Sequence, residues 1–449
     1  MPLLSVRNLK VYFKIRQGWV RAVDGVGLEV DQGETVGLVV ESGCGKTTLA
    51  YAISQLLPSN AHVLGGQVFF NSDRRVDRYR QSYRRTAEER MAKDLAEAEA
   101  ELARNPTREE DDRSRRTHDA LDERVQELRY PLSSTYRRYL KAELKPLKES
   151  LDRIEARAAQ GDKAARDALR EAQARYAAAS QEFDLVDITR RSDGRLREYH
   201  PKLNEIRWKE IAMVFQGAMN ALNPVYTVGD QIIEAIQAHE EVDEEQGQKR
   251  VVELYKLVGI PVDRIDNFPH EYSGGMKQRA MIAMALALNP KLVIMDEPTT
   301  ALDVITAAKI MDEVLRIQRQ LKMTLIIISH DVSTVAKVAD RICVMYAGQI
   351  VEESVSKEIF DRTLHPYTDG LLGAFPSVKG EKRRLEAIPG SPPSLVTPPN
   401  GCRFHPRCKY AKDICTTTDP PYFVLQEPPH RSLCHFSNEF SGQGGLARA

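Results

Sequence analysis

Two stretches of this sequence hold residues whose types and spacing suit phosphate chemistry. The first runs Val39-Val40-Glu41-Ser42-Gly43-Cys44-Gly45-Lys46-Thr47-Thr48. It follows a strand-like apolar segment and precedes a helical one, the context in which a phosphate-binding loop works. Small residues at Ser42, Gly43, Cys44 and Gly45 let successive backbone N–H groups turn toward phosphate oxygens, and the helix N-terminus adds positive partial charge. Lys46 is then placed to reach the β and γ phosphates, and Thr47, followed by Thr48, to offer a hydroxyl to Mg²⁺. Val40 stands where such loops usually begin with Gly. A φ above zero there would cost a β-branched residue about 1–3 kcal/mol and weaken the site, whereas the last position of a strand would suit it. The second stretch, Leu292-Val293-Ile294-Met295-Asp296-Glu297, is an apolar strand that delivers two adjacent carboxylates at its C-terminal end, where α/β sheets place ligands. Asp296 suits a water-bridged Mg²⁺, and Glu297 suits polarising an attacking water. An acidic pair alone can be structural; beside a phosphate loop it indicates a nucleoside triphosphatase.

The elements that must position these groups follow from periodicity. Leu3 to Val11 and Gly27 to Val40 predict strands, Gly45 to Leu57 a helix and Gly66 to Phe70 a further strand. From about Ser72 to Glu182 the chain turns rich in Ala, Arg, Glu and Lys, with apolar residues at heptad spacing: Met91, Leu95, Ala98 and Leu102, then Leu140, Leu144, Leu147, Leu151 and Ile154, then Leu169, Ala172, Tyr176, Ala179 and Phe183. That pattern predicts a coiled-coil-like insertion of antiparallel helices, broken at Asn105-Pro106, Pro131 and Gly161, with Pro146 kinking a helix or starting a new one. The α/β pattern resumes near Ile211 and runs to about Glu353, and loop-forming segments such as Ser391-Pro392-Pro393 lead into a small cysteine-containing extension. The expected division is 1–71 with 183–355 as an α/β ATPase domain, 72–182 as the helical insertion and 356–449 as the extension. With 64 Lys and Arg against 64 Asp and Glu, no basic field draws the chain to nucleic acid. No apolar run approaches the roughly 20 residues a spanning helix needs. The N-terminus also lacks an export signal, so a cytosolic location is expected.

Tyr272-Ser273-Gly274-Gly275-Met276-Lys277-Gln278-Arg279 separates this chain from other triphosphatases. The segment closely resembles the signature of the ABC family. Further elements of that family occur in order: Gln216 after Met213-Val214-Phe215, then Thr300-Ala301-Leu302-Asp303, then His330 after Ile326-Ile327-Ile328-Ser329. The resemblance implies a P-loop ABC-type fold with an antiparallel β subdomain and a helical signature subdomain. It also implies that Ser273, Gly274 and Gly275 grip the γ-phosphate of an ATP held by a second subunit, that Asp303 lies at the dimer interface, and that His330 contacts the γ-phosphate. By the same resemblance Glu297, His330 and Gln216 are catalytic, Thr47, Gln216 and Asp296 attend the Mg²⁺, and Phe13, or else Tyr12, stacks on adenine.

His365-Pro366-Tyr367-Thr368, Ile388-Pro389-Gly390 and Cys402-Arg403-Phe404-His405-Pro406-Arg407-Cys408 resemble the C-terminal extension of the oligopeptide and dipeptide transporter subfamily. That resemblance implies an importer of peptides, with oligosaccharide or nickel as alternative cargo. It implies as partners a second, different ATPase subunit, two transmembrane permease subunits and an extracytoplasmic substrate-binding protein, with this chain at the cytoplasmic face of the membrane. It also implies a 4Fe-4S cluster on Cys402, Cys408, Cys415 and Cys434. Thiolates serve zinc as well, with His405, His430 and His435 as further donors, and a metal-free reduced set is the third possibility. Chromosome-maintenance ATPases also carry coiled coils, but between the glutamine loop and the signature, whereas here the insertion precedes Gln216. A scaffold subunit with a degenerate nucleotide site is the remaining alternative, and it rests on Val40. The insertion is either a solvated spacer or a docking arm.

Overall fold

A computed structural model of the protein describes residues 2–41, 44–70, 74–104, 120–121, 124–125, 133–188, 206–217, 220–300, 302–374 and 388–442. Ser42, Gly43 and Ala301 of the motifs above, and the breaks expected at Asn105-Pro106 and Pro131, lie outside the described residues. The chain forms two compact units, one of Met1–Arg7, Ile15–Leu56 and His200–Ala449, the other of Asn8–Lys14 and Leu57–Tyr199.

The first strands are β1 (Pro2–Ile15), β2 (Gly18–Asp31), β3 (Thr35–Val40) and β4 (Ala61–Phe70). They are followed by β5 (Ile211–Val214), β6 (Leu292–Asp296), β7 (Thr324–Ser329), β8 (Arg341–Tyr346), β9 (Gln349–Val355), β10 (Tyr422–Leu425) and β11 (His430–Leu433). The first unit is built on an eight-stranded sheet in the order β10-β11-β9-β8-β3-β7-β6-β5. Strands β5, β6, β7, β3 and β8 run parallel, and β9, β11 and β10 continue the sheet antiparallel. Every residue of β3, β5, β6 and β7 is buried, because helices cover both faces of a parallel sheet; hence the unbroken apolar runs in the sequence. Beside β5, β6 and β7, the helices Val228–Gln237, Glu244–Val258, Gly274–Leu286 and Val304–Leu321 contribute Ile232, Ile236, Tyr255, Val258 and Ile310 to one core. A second core joins the sheet to the C-terminal extension. There the Tyr346 ring packs 4.5 Å from Tyr367 and 5.3 Å from Phe404, centroid to centroid.

The second unit takes in residues 8–14 of β1, strand β4 and the helices Arg74–Arg104, Ser133–Ala159 and Lys163–Ile188. Gly66 of β4 approaches the backbone of β1 so closely that a Cβ would sit 2.2 Å from the Leu9 Cα. Gly161 ends the helix Ser133–Ala159 as expected, at a φ of 92° that glycine tolerates, and Arg157 closes the turn by an ion pair to Asp162 at 2.6 Å. The helix runs unbroken through Pro146, so no new helix starts there. Met91, Ala98 and Leu151 of the heptad pattern are buried. The side chains of Leu140, Ala179 and Phe183 lie outside the described residues.

Candidate functional site

The C-terminal ends of neighbouring parallel strands deliver one group of polar side chains. β3 leads into Glu41 and, beyond it, Lys46 and Thr47; β5 leads to Gln216, β6 ends at Asp296, and β7 leads to His330. Gly45 precedes the helix Lys46–Ile53 at a φ of 96°, and a Cβ there would lie 1.8 Å from the Ala22 carbonyl oxygen. Only glycine fits that turn. Val40 needs no such freedom: it is the last residue of β3, paired with Met345 in a parallel ladder and absent from the residues with positive φ, so the strain that its β-branch would bring does not arise.

Around these turns the groups meet. Thr47 Oγ1 donates to Asp296 Oδ2 at 2.7 Å, and the other oxygen, Asp296 Oδ1, is buried without a hydrogen-bond partner. Lys46 Nζ pairs with Glu297 Oε1. Glu297 Oε2 accepts from Gln216 Nε2 at 3.0 Å and from Thr300 Oγ1 at 2.9 Å, and His330 Nδ1 lies 3.4 Å from Oε1. The two carboxyls are tuned in opposite directions. Burial pushes Asp296 up, against the hydrogen bond from Thr47 and the charge of Lys46. Burial also works to raise Glu297, but the hydrogen bonds from Lys46 and Thr300 together with the Lys46 charge outweigh it and leave that carboxyl below the usual range. Glu297 also holds a φ of 48°, uncommon for a non-glycine residue, anchored by its N–H to the Ile328 carbonyl at 2.9 Å. The sequence names Thr300 only as the start of the Thr300-to-Asp303 motif; its bond to Glu297 is an addition of the structure, although three residues' separation puts the two side chains within reach on one turn.

The signature residues occupy a helix terminus. Ser273 caps the helix Gly274–Leu286 by accepting from Met276 N–H at 3.3 Å, and Ser273 and Gly274 are exposed. A Cβ on Gly275 would come within 2.9 Å of Thr306 Cγ2. Asp303 caps the helix Val304–Leu321 in the same way, accepting from Thr306 N–H at 2.9 Å, with Val304 85% and Ile305 69% exposed behind it. These helix ends are therefore presented to solvent rather than folded against Lys46. Phe13 is half-buried on β1 in the other compact unit, while Tyr12 beside it is buried.

The model described as ABC transporter matches residues 23–191 and 185–300, so it takes in more than half of the chain. The chain belongs to the ABC transporter family. The model described as Oligopeptide/dipeptide transporter, C-terminal region, matches residues 351–415. Among curated proteins, this ABC chain is 49% identical over 229 residues to the oligopeptide transport ATP-binding protein OppD of Bacillus subtilis (strain 168), covering 50% of this chain and 64% of that one. It is 43% identical over 274 residues to the dipeptide transport ATP-binding protein DppD of Escherichia coli (strain K12), covering 61% of this chain and 81% of that one. A putative peptide import ATP-binding protein of Brucella melitensis biotype 1 is 34% identical over 421 residues, covering 93% of this chain and 91% of its own length.

In the C-terminal part of this ABC chain, Cys402, Cys408, Cys415 and Cys434 line one small enclosed cavity with Phe404 and Phe436. Among the described residues, no three His, Cys, Asp or Glu groups are drawn together closely enough to hold a metal ion. Three of the sulfurs nevertheless accept the amide two residues on: Phe404 N–H to Cys402, Tyr410 N–H to Cys408, and Phe436 N–H to Cys434 at 3.4 Å. Burial, reinforced by the neighbouring cysteines, pushes the Cys408 thiol up to about 11 and the Cys434 thiol up to about 12. His405 and His435 also line the cavity, whereas His430 is buried elsewhere with Nε2 at 2.8 Å from Glu352.

Proposed function

We propose that this chain is the ATP-binding and ATP-hydrolysing subunit of an importer of di- or oligopeptides. The observation that carries the reading is the convergence of Lys46, Gln216, Thr300 and His330 on the single carboxylate of Glu297, next to the Thr47–Asp296 pair. A hydroxyl beside a carboxylate with one buried, unpartnered oxygen is a donor set that suits Mg²⁺, a hard cation that prefers oxygen. Lys46 and the backbone N–H groups at the start of the helix Lys46–Ile53 would hold the phosphates, with Ser42, Gly43, Cys44, Gly45 and Thr48 forming the rest of the cradle.

The Lys46–Glu297 pair gives the site its switch. Removing one partner of a buried ion pair costs about 3–5 kcal/mol unless another charge takes its place. A triphosphate supplies that negative charge to Lys46, and Glu297 is then released to orient and deprotonate water, aided by Gln216 and by His330 at the γ-phosphate. Ser273 and Gly274, exposed at their helix end, would close with Gly275 over a nucleotide held by a second ATPase subunit, and Asp303 with the exposed Val304 and Ile305 would line the same junction. Phe13 is the proposed adenine contact. Two permease subunits, an extracytoplasmic binding protein and a different partner ATPase complete the assembly, which places the chain at the cytoplasmic face of a membrane. Among the described residues no helix is long and apolar enough to cross it. The peptide assignment is supported by the names of the Bacillus and Escherichia relatives and by the match over residues 351–415. The test is ATP-driven uptake of labelled peptides into vesicles carrying the reconstituted complex. Hydrolysis without peptide uptake, or with uptake of another solute class alone, overturns the assignment.

For the four cysteines the reading is a 4Fe-4S cluster, with zinc as the alternative. Thiolates arranged around a cavity, each of three receiving an N–H donor, suit an iron–sulfur cluster. Thiolates suit a single zinc ion as well, and metal analysis separates the two. Bound there, the group would supply a cross-link between the turn at 402–408 and the segments bearing Cys415 and Cys434. Anoxically purified chain should contain about four iron and four sulfide; about one zinc, or neither metal, overturns the cluster.

A further inference from the structure

The phosphate loop carries one charge that a polyanionic ligand would oppose. Glu41 follows the last residue of β3, and nothing in a phosphate cradle calls for a carboxylate. Two side chains from the C-terminal extension hold it. Tyr367 Oη accepts from Glu41 N–H at 3.3 Å. The Arg407 guanidinium spans both carboxylate oxygens, Nη1 to Oε2 at 2.9 Å and Nη2 to Oε1 at 3.3 Å. Only 6% of the Arg407 side chain is exposed, its Nε donates to the Pro389 carbonyl at 2.8 Å, and its Nη1 reaches Tyr346 Oη at 3.4 Å. Burial opposes its charge, and the bonds to Glu41 and Tyr346 outweigh that opposition. Arg407 stands in the turn between Cys402 and Cys408, closed by His405 N–H to the Cys402 carbonyl at 3.0 Å and Cys408 N–H to the His405 carbonyl at 3.2 Å. Arg403 anchors the same turn through the Ala347 carbonyl at 2.5 Å and an ion pair with Asp24.

We propose that Arg407 is a positioning residue for nucleotide binding: it neutralises Glu41 so that the phosphate loop can accept a triphosphate, and it makes the cysteine-bearing turn a brace of that loop. The inference rests on the reading of Lys46 and its neighbours as the ATP site. A buried charge pair behaves asymmetrically. Deleting one member leaves the other uncompensated, whereas replacing both by neutral groups is close to neutral. The signature of this role is therefore recovery of binding on a second substitution.

The experiment measures the Kd of a fluorescent ATP analogue with Mg²⁺ on the full chain, with Tm recorded on the same samples. Arg407→Gln should raise Kd about tenfold or more, because Glu41 then repels the phosphates. Arg407→Lys, which keeps the charge without the planar fork, should fall between. Glu41→Gln should bind nearly as well as the unaltered chain, and the double variant Glu41→Gln/Arg407→Gln should return to within about threefold of it. Wild-type affinity in Arg407→Gln overturns the inference. So does a double variant as weak as Arg407→Gln, the pattern of a residue that only supports the fold. Lys46→Ala separates the two levels: retained binding there removes the ATP-site reading and this inference together, while loss there with normal binding in Arg407→Gln removes the brace alone.

Discussion

Glu297→Gln is expected to slow ATP hydrolysis by roughly 10²–10⁴-fold, the range that a positioned general base contributes, while nucleotide binding persists. Gln keeps the size of the side chain and can still accept from Thr300, whose hydroxyl is 2.9 Å from Glu297 Oε2. What it loses is the negative charge that takes a proton from water. It also removes the ion pair with Lys46, so a triphosphate no longer has to displace a carboxylate from that ammonium, and affinity should hold or tighten. The strained φ of 48° at this position stays, so the substitution changes charge without changing the turn. The measurement pairs phosphate release with equilibrium nucleotide binding. Hydrolysis within about fivefold of the unaltered chain would assign the base to another residue.

Groups close together in sequence were the readable part of this site. Lys46, Thr47, Asp296 and Glu297 each belong to a short segment in which a strand ends and a turn begins, and periodicity plus a few small residues mark such segments without reference to the rest of the fold. The burial of β3, β6 and β7 was legible for the same reason, as runs of apolar residues four or five long. Arg407 and Glu41 could not be found in that way. They are 366 positions apart, and nothing in the composition around either names the other. Their meeting depends on β9 carrying the sheet toward β11 and on Phe404 packing under Tyr346 and Tyr367, contacts that belong to the tertiary structure. Val40 shows the converse. A residue that departs from the usual motif looked costly in isolation, and its place in the ladder with β8 removes the cost because an extended backbone accepts a β-branched side chain.

Gly45→Ala is expected to cost nucleotide affinity about 100-fold or more, equivalent to roughly 3 kcal/mol. The new Cβ would lie 1.8 Å from the Ala22 oxygen, 2.9 Å from the Ala22 carbonyl carbon and 3.2 Å from Met345 Cε. The methionine tip can swing aside; the backbone cannot. Residues on either side of Ala22 are tied down, Arg21 N–H to the Leu395 carbonyl at 2.9 Å and Asp24 N–H to the Gly348 carbonyl at 2.8 Å. The phosphate loop must move instead, and the φ of 96° adds its own penalty for any residue with a side chain. Because Lys46 and Thr47 are the next two residues, the displacement passes directly to the groups that face Glu297 and Asp296. Gly373→Ala supplies the comparison, since its Cβ would meet nothing within 4 Å and its φ is ordinary. That variant should bind nucleotide as the unaltered chain does, and titration of both with the same ATP analogue checks the contrast. Equal affinities in the two variants would mean that Gly45 is there for folding economy and not for the cradle.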